Sequence, residues 1–181
     1  MSNQALIIID LQNDYYPGGK WELHGIEQAS ENAVKILSNA REKNLPVFHV
    51  HHEFLMENPP FFAPGSEGAN IHETLKPMDG ETTVLKHQVN AFRDTNLKEL
   101  LDEKGIEEIT IIGAMSHMCI DAATRAAADY GYQVTVVEDA CASRDLEFEN
   151  KTVKAEDVHA AYMSALGFAY ANVISTKTYL G

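Results

Sequence analysis

Glu108-Ile109-Thr110-Ile111-Ile112-Gly113-Ala114-Met115-Ser116-His117-Met118-Cys119-Ile120-Asp121-Ala122-Ala123-Thr124-Arg125-Ala126-Ala127-Ala128-Asp129-Tyr130-Gly131 changes its hydrophobic period part-way along. Residues 109–113 form a short β-branched run, apolar on both faces, which predicts a strand covered on both sides. From Cys119 onward, Ala122, Ala123, Ala126, Ala127 and Tyr130 follow at offsets 3, 4, 7, 8 and 11, the spacing of one helix face. Gly131 stands where a left-handed residue would stop that helix. A two-faced strand leading through a short turn into a helix is the repeating unit of a parallel sheet.

The pattern recurs outward in both directions. Residues 5–9, 47–51, 83–86, 134–138 and 173–175 read as five more strands. Between them, Ile26, Ala29, Ala33, Ile36, Leu37 and Ala40 line a helix that stops near Asn44. Leu97, Leu100 and Leu101 mark a shorter helix, with Asp94 or Thr95 to cap it and Gly105 to end it. Val158, Ala161, Tyr162, Ala165 and Leu166 form the last face, ending at Gly167. These alternations predict the α/β class: one three-layer α/β/α domain over residues 1–181, built on a six-stranded, mainly parallel sheet. The stretch 52–82, with Asn58-Pro59-Pro60, Pro64-Gly65 and Lys76-Pro77, lacks period, and a loop that long is usually functional or touches another subunit.

Composition removes several function classes. Among 181 residues, 27 acidic side chains oppose 14 basic ones, a net charge of −13 that disfavours a phosphate backbone as partner. The longest apolar runs, 5–9 and 109–112, fall far short of the ~20 residues that cross a bilayer, and residues 1–4 carry no basic segment of a secretory signal. Cys119 and Cys141 are the two cysteines and form no Cys-x-x-Cys pair, so a reducing cytoplasm is the expected compartment.

In an open parallel sheet ligands bind at the carboxyl ends of the strands. Asp10, Lys86 and Cys119 all fall there. Singly each has a plain role: a turn cap with Asn13 and Asp14, a solvated charge, a small core residue. Together they make a base, a charge-setting cation and a nucleophile, and a thiol at a helix start beside a cation is expected to ionise readily. Neither Gly-x-Gly-x-x-Gly nor Gly-x-x-x-x-Gly-Lys is present, so no nucleotide-phosphate cradle is expected.

Asp10-Leu11-Gln12-Asn13-Asp14, Lys86 with Asn90-Ala91-Phe92, and Gly113-Ala114-Met115-Ser116-His117-Met118-Cys119 leading to Thr124-Arg125-Ala126-Ala127 closely resemble the isochorismatase-like cysteine hydrolase family. Asp139-Ala140-Cys141-Ala142 and residues 159–169 share the likeness, which spans nearly the whole chain. Streptothricin hydrolase and nicotinamidase belong to that family, and the Met-Ser-His-Met-Cys run is nearer the first. The resemblance implies an Asp10, Lys86, Cys119 triad, a thioester intermediate, and hydrolysis of a C–N bond in a small amide, lactam or carbamoyl substrate. It also implies an oxyanion hole from the backbone N–H groups of Met115 and Cys119, a cis peptide between Ala114 and Met115, and a homo-oligomer, dimer or larger.

Alternatives remain at this point: an isochorismatase-type ether hydrolase, which works by acid catalysis without a thiol; a metal-assisted hydrolase using His49, His51 and His72; or a non-catalytic ligand-binding scaffold. Similar nicotinamidases hold a metal through an Asp-x-His motif, whereas Val50-His51-His52-Glu53 has no such aspartate, so neither a metal nor another cofactor is expected. Gln12, Tyr15, Trp21, Phe92 and Met118 are the candidate pocket wall. Phe61 and Phe62 would cover the chain's own site or a neighbouring subunit, and His51 and His52 would line the pocket mouth or an interface. Cys141 reads as a structural residue in a loop.

Overall fold

Alternate residues of the first strand enter different cores, which is why it is apolar throughout. Leu6 and Ile8 pack on one face of the sheet with Ala29, Ala33, Ile36 and Leu37, while Ala5, Ile7 and Ile9 pack on the other with Leu97, Leu101, Ala123 and Ala127. Each such aliphatic side chain contributes about 1.5–3 kcal/mol by leaving water. The computed structural model describes residues 3–181; of residues 1–4, read above for a missing basic segment, Met1 and Ser2 lie outside the described residues.

In chain order the elements are β1 (Gln4–Ile9), α1 (Ile26–Glu42), β2 (Val47–His52), β3 (Thr82–Lys86), α2 (Leu97–Glu103), β4 (Glu108–Ala114), a π turn (Ser116–Ile120), α3 (Asp121–Asp129), β5 (Gln133–Ala142), β6 (Leu146–Phe148), β7 (Lys151–Val153), α4 (Ala155–Ala169), β8 (Asn172–Ile174) and α5 (Thr176–Leu180). All six predicted strands pair in one sheet of order β3-β2-β1-β4-β5-β8, and every pairing is parallel. The chain works outward from β1 to β3, then crosses back to β4 and proceeds the other way. The sheet's switch point therefore lies between β1 and β4.

Several expectations need correction. The helix expected from Cys119 begins at Asp121 instead, because Ser116–Ile120 close a wider π turn first. α2 starts after Asn96, yet Thr95 still serves its first turn, since Leu97 N–H donates to Thr95 Oγ1. α4 runs through Gly167 to Ala169, and Gly167 packs 3.5 Å from Val173. Its buried residues are Ala155, Val158, Met163 and Leu166; Ala161 and Ala165 are exposed, because a helix apolar nearly all round does not declare its inner face by pattern. Cys141 is inside β5, which a bulge extends past the predicted end. The β6-β7 hairpin and α5 carried too few residues to be seen as periodic.

The long segment between β2 and β3 folds onto its own chain. Phe62 is fully buried, with its N–H donating to Asp14 Oδ2, and Phe61 and Phe62 pack against Tyr15, Trp21 and Phe54. Gly68 is required beneath that clamp: a Cβ there would lie 2.2 Å from Asp14 Oδ1.

Candidate active site

Three strand ends and one turn build the site at the switch point. After β1, Asp10 turns to φ +55, a left-handed conformation that an aspartate tolerates, while its N–H donates to Val50 O. β3 ends in Lys86, directly opposite His52 in the parallel register. β4 closes on β1 through Gly113 at φ +129, where a Cβ would fall 2.0 Å from Ile9 O, so that only glycine permits the approach. The Ala114-Met115 peptide is cis, and the π turn that follows carries Cys119 into the second core.

Lys86 Nζ is the centre of the cluster. It pairs with Asp10 Oδ2 at 2.8 Å, with both side chains fully buried. It also donates to His52 Nδ1 at 2.7 Å, Gln88 O at 3.1 Å and Cys119 Sγ at 3.4 Å. Among the described residues, neither Asp10 carboxylate oxygen has a hydrogen-bond partner, the Lys86 contact being an ion pair.

Electrostatics follow from this burial. Loss of hydration raises the Asp10 carboxyl above the usual range, and the Lys86 ammonium offsets only part of that. Burial works against the Lys86 charge, but Asp10 and Cys119 outweigh it and its pKa is raised. Burial and then the Asp10 carboxylate push the Cys119 thiol far up, with Lys86 opposing. Burial therefore works against the easy ionisation expected of Cys119, which lies in the core ahead of α3 beside a carboxylate able to accept its proton.

The structure does not bring His49, His51 and His72 together as one ligand group. His49 Nε2 is paired with Glu81 at 2.8 Å, His72 is stacked on Tyr16 at 3.7 Å, and His51 stands half-buried at the rim. Among the described residues, the group with metal-ligating spacing is Asp10, His52 and Cys119, within 4.8 Å of one another. The Lys86 ammonium contacts all three, so these donors already surround a cation.

The candidate wall residues divide. Tyr15 is buried next to the triad, and burial, then Cys119 and Asp10, hold its hydroxyl well above the ordinary range. Trp21 stacks on Phe61 at 4.7 Å, with the Arg144 guanidinium 4.1 Å above its ring. Met118, 39% exposed, neighbours the nucleophile. Gln12 is not a free pocket group: its amide nitrogen donates to His52 O and Ala69 O, and its oxygen accepts from His52 N–H, so it splices the loop to β2. Phe92 packs against Tyr130 and Tyr132 in the second core, the one that also holds Cys119.

Two features of the site escaped the sequence argument, which set His52 only at a pocket mouth or an interface. His52 touches Lys86, a contact that the register of two adjacent strand ends could have signalled. Arg144 follows β5 and has no periodic pattern to reveal it. Behind the π turn, Ser116 Oγ bonds Ala142 O and His159 Nδ1, and His117 Nδ1 bonds Ser143 Oγ, pinning the turn to β5 and α4.

A family model described as the isochorismatase domain matches residues 4–176. The chain belongs to the isochorismatase family. It is similar to the isochorismatase family protein YddQ of Bacillus subtilis, 48% identical over 97% of this chain and 98% of that one. A crystal structure of an isochorismatase hydrolase from Oleispira antarctica superposes with a TM-score of 0.96 at 53% identity, covering 99% of this chain and 97% of that one. Streptothricin hydrolase of Streptomyces noursei is 31% identical over 79% of this chain and 56% of its own length. The isochorismatase-family relatives of this hydrolase also include amidohydrolases, among them a maleamate amidohydrolase and a nicotinamidase.

Proposed function

We propose that the protein is a cysteine hydrolase that cleaves the C–N bond of a small amide, lactam or carbamoyl compound through a thioester. The observation that carries this reading is the buried Lys86 ammonium, held 2.8 Å from Asp10 and 3.4 Å from Cys119. An isochorismatase-type ether cleavage would leave that thiol without a task. The names of the amidohydrolase relatives support the same bond class.

In this mechanism Asp10 takes the Cys119 proton as Sγ attacks the carbonyl carbon. Negative charge passes from the carboxylate to the substrate oxygen, which the backbone N–H groups of Met115 and Cys119 receive. One such donor is typically worth about 3 kcal/mol of barrier. Asp10 returns the proton to the departing nitrogen, leaving a thioester on Cys119. Water, deprotonated by Asp10, then releases the acid and restores the thiol. Lys86 stays charged throughout and follows the negative charge between carboxylate and sulfur.

The test is Cys119→Ala against a broad panel of amides, lactams and carbamoyl compounds, with circular dichroism as the fold control. Turnover by the native chain that vanishes in the variant is the expected result; full turnover in the variant overturns the reading.

A further inference from the structure

We propose that His52 is a positioning residue for this reaction: its Nδ1 anchors the Lys86 ammonium between Asp10 and Cys119. The inference rests on the cysteine-hydrolase reading above and assigns a role outside the triad.

Counting protons is enough to begin. An ammonium carries three N–H groups, and Lys86 Nζ faces four acceptors: Asp10 Oδ2 at 2.8 Å, His52 Nδ1 at 2.7 Å, Gln88 O at 3.1 Å and Cys119 Sγ at 3.4 Å. Three of them, His52 Nδ1, Gln88 O and Cys119 Sγ, lie at angles suited to hydrogen bonds, while Asp10 Oδ2 holds the ammonium as an ion pair. His52 makes the shortest of the four contacts.

Because an ammonium can only donate, His52 Nδ1 must present its lone pair, which places the ring proton on Nε2. That Nε2 is buried without a partner, in a residue 3% exposed whose ring lies against Phe54 at 4.2 Å. The ring is thus fixed as one neutral tautomer. Burial, then Lys86 and His87, lower its pKa to about 3, so it remains an acceptor across the neutral range. The groups facing Lys86 Nζ are Asp10 after β1, His52 on β2 and Cys119 on the π turn, with His51 and His87 acting from the strand ends.

The consequence concerns the moving charge. When the Cys119 proton passes to Asp10, the carboxylic acid no longer needs the ammonium and the thiolate does. An ammonium held by His52 and Gln88 O can serve the charge on either the carboxylate or the sulfur while its nitrogen stays in place. Without His52 that anchor is lost and the ammonium is free to shift between Asp10 and Cys119.

The experiment compares His52→Leu, which fills the volume without an acceptor, with His52→Asn, whose Oδ1 replaces the Nδ1 acceptor. The readout is ultraviolet thiolate absorbance against pH, with Cys119→Ala subtracted so that only Cys119 is followed. The expected result for His52→Leu is a displaced Cys119 titration, with kcat reduced about tenfold and by more than KM is raised. For His52→Asn the native profile returns. An unchanged Cys119 titration in His52→Leu, or the same shift in both variants, overturns the proposal. If His52→Leu does not fold, nitrogen-15 NMR of the native histidine rings decides: a protonated Nδ1, or a His52 that titrates near neutrality, overturns it. Thiolate titration needs no turnover, so this result is independent of the Cys119→Ala activity test, which alone can overturn the hydrolase reading.

Discussion

Two ion clusters meet β2, one half-buried and one fully buried, and they use nearly the same residue types for opposite ends. Arg41, Glu81 and His49 form one; Lys86, Asp10 and His52 form the other. Glu81 is saturated: Arg41 Nε and Nη2 donate at 2.7 and 2.9 Å, Met78 N–H at 2.8 Å, and His49 Nε2 lies at 2.8 Å. Burial alone would raise its pKa, but these bonds overcome burial and hold it at about 2. Asp10 has the Lys86 ion pair and, among the described residues, no hydrogen-bond partner on either oxygen, and burial wins, raising its pKa. A carboxylate given every bond it can accept is a structural pin, while one kept short of bonds is ready to take a proton.

The sharpest way to break that contrast is Asp10→Asn, which keeps an oxygen for Lys86 and removes the proton acceptor. We expect kcat/KM to fall by about 10² to 10⁴, read by steady-state kinetics on whichever amide the native enzyme turns over. Retention of the native rate would place Asp10 with Glu81 as a pin.

Glu81→Gln should do the reverse. Urea unfolding at neutral pH is expected to record a loss of about 2 kcal/mol, with activity within about threefold of native. The sign with pH follows from a folded-state pKa held below the unfolded one. The carboxylate's contribution is fully present above the ordinary glutamate range near 4.5 and is lost as pH falls toward 2. The gap between native and variant stability should therefore close on acidification. A gap that widens would contradict the assignment of Glu81 as an ionised pin.

Arg41→Lys is the smallest probe. It retains the charge and loses one arm of the two-bond fork, so a decrease of about 1 kcal/mol is expected, seen as a modest drop in Tm. A loss as large as that of Glu81→Gln would mean that the fork geometry, rather than the charge, holds this corner.

Much of the architecture was legible because it depends on local period. The β-branched runs could only be two-faced strands, and helices between them had to cover both faces. Asp10, Lys86 and Cys119 were visible as strand-end residues of reactive type, without knowledge of distance. Phe92 and Gln12 misled because sequence adjacency to a triad residue does not say which way a side chain is directed: Phe92 turned to Tyr130 and Tyr132, Gln12 to the backbone of His52 and Ala69. The α4 face misled for another reason, since a nearly uniform apolar helix has no pattern to read.

The sequence by itself determined the layer order, the parallel sheet and the three residue types at its rim, because period and residue chemistry are local properties of the chain. Tertiary structure decided everything that depends on a neighbour's dielectric or register. Burial raises the Cys119 thiol where a helix start beside a cation suggested easier ionisation. The β2-β3 register delivered His52 to Lys86, and crowding by Ile9 O required Gly113. Hydration and contact belong to the folded chain, and no reading of one segment contains them.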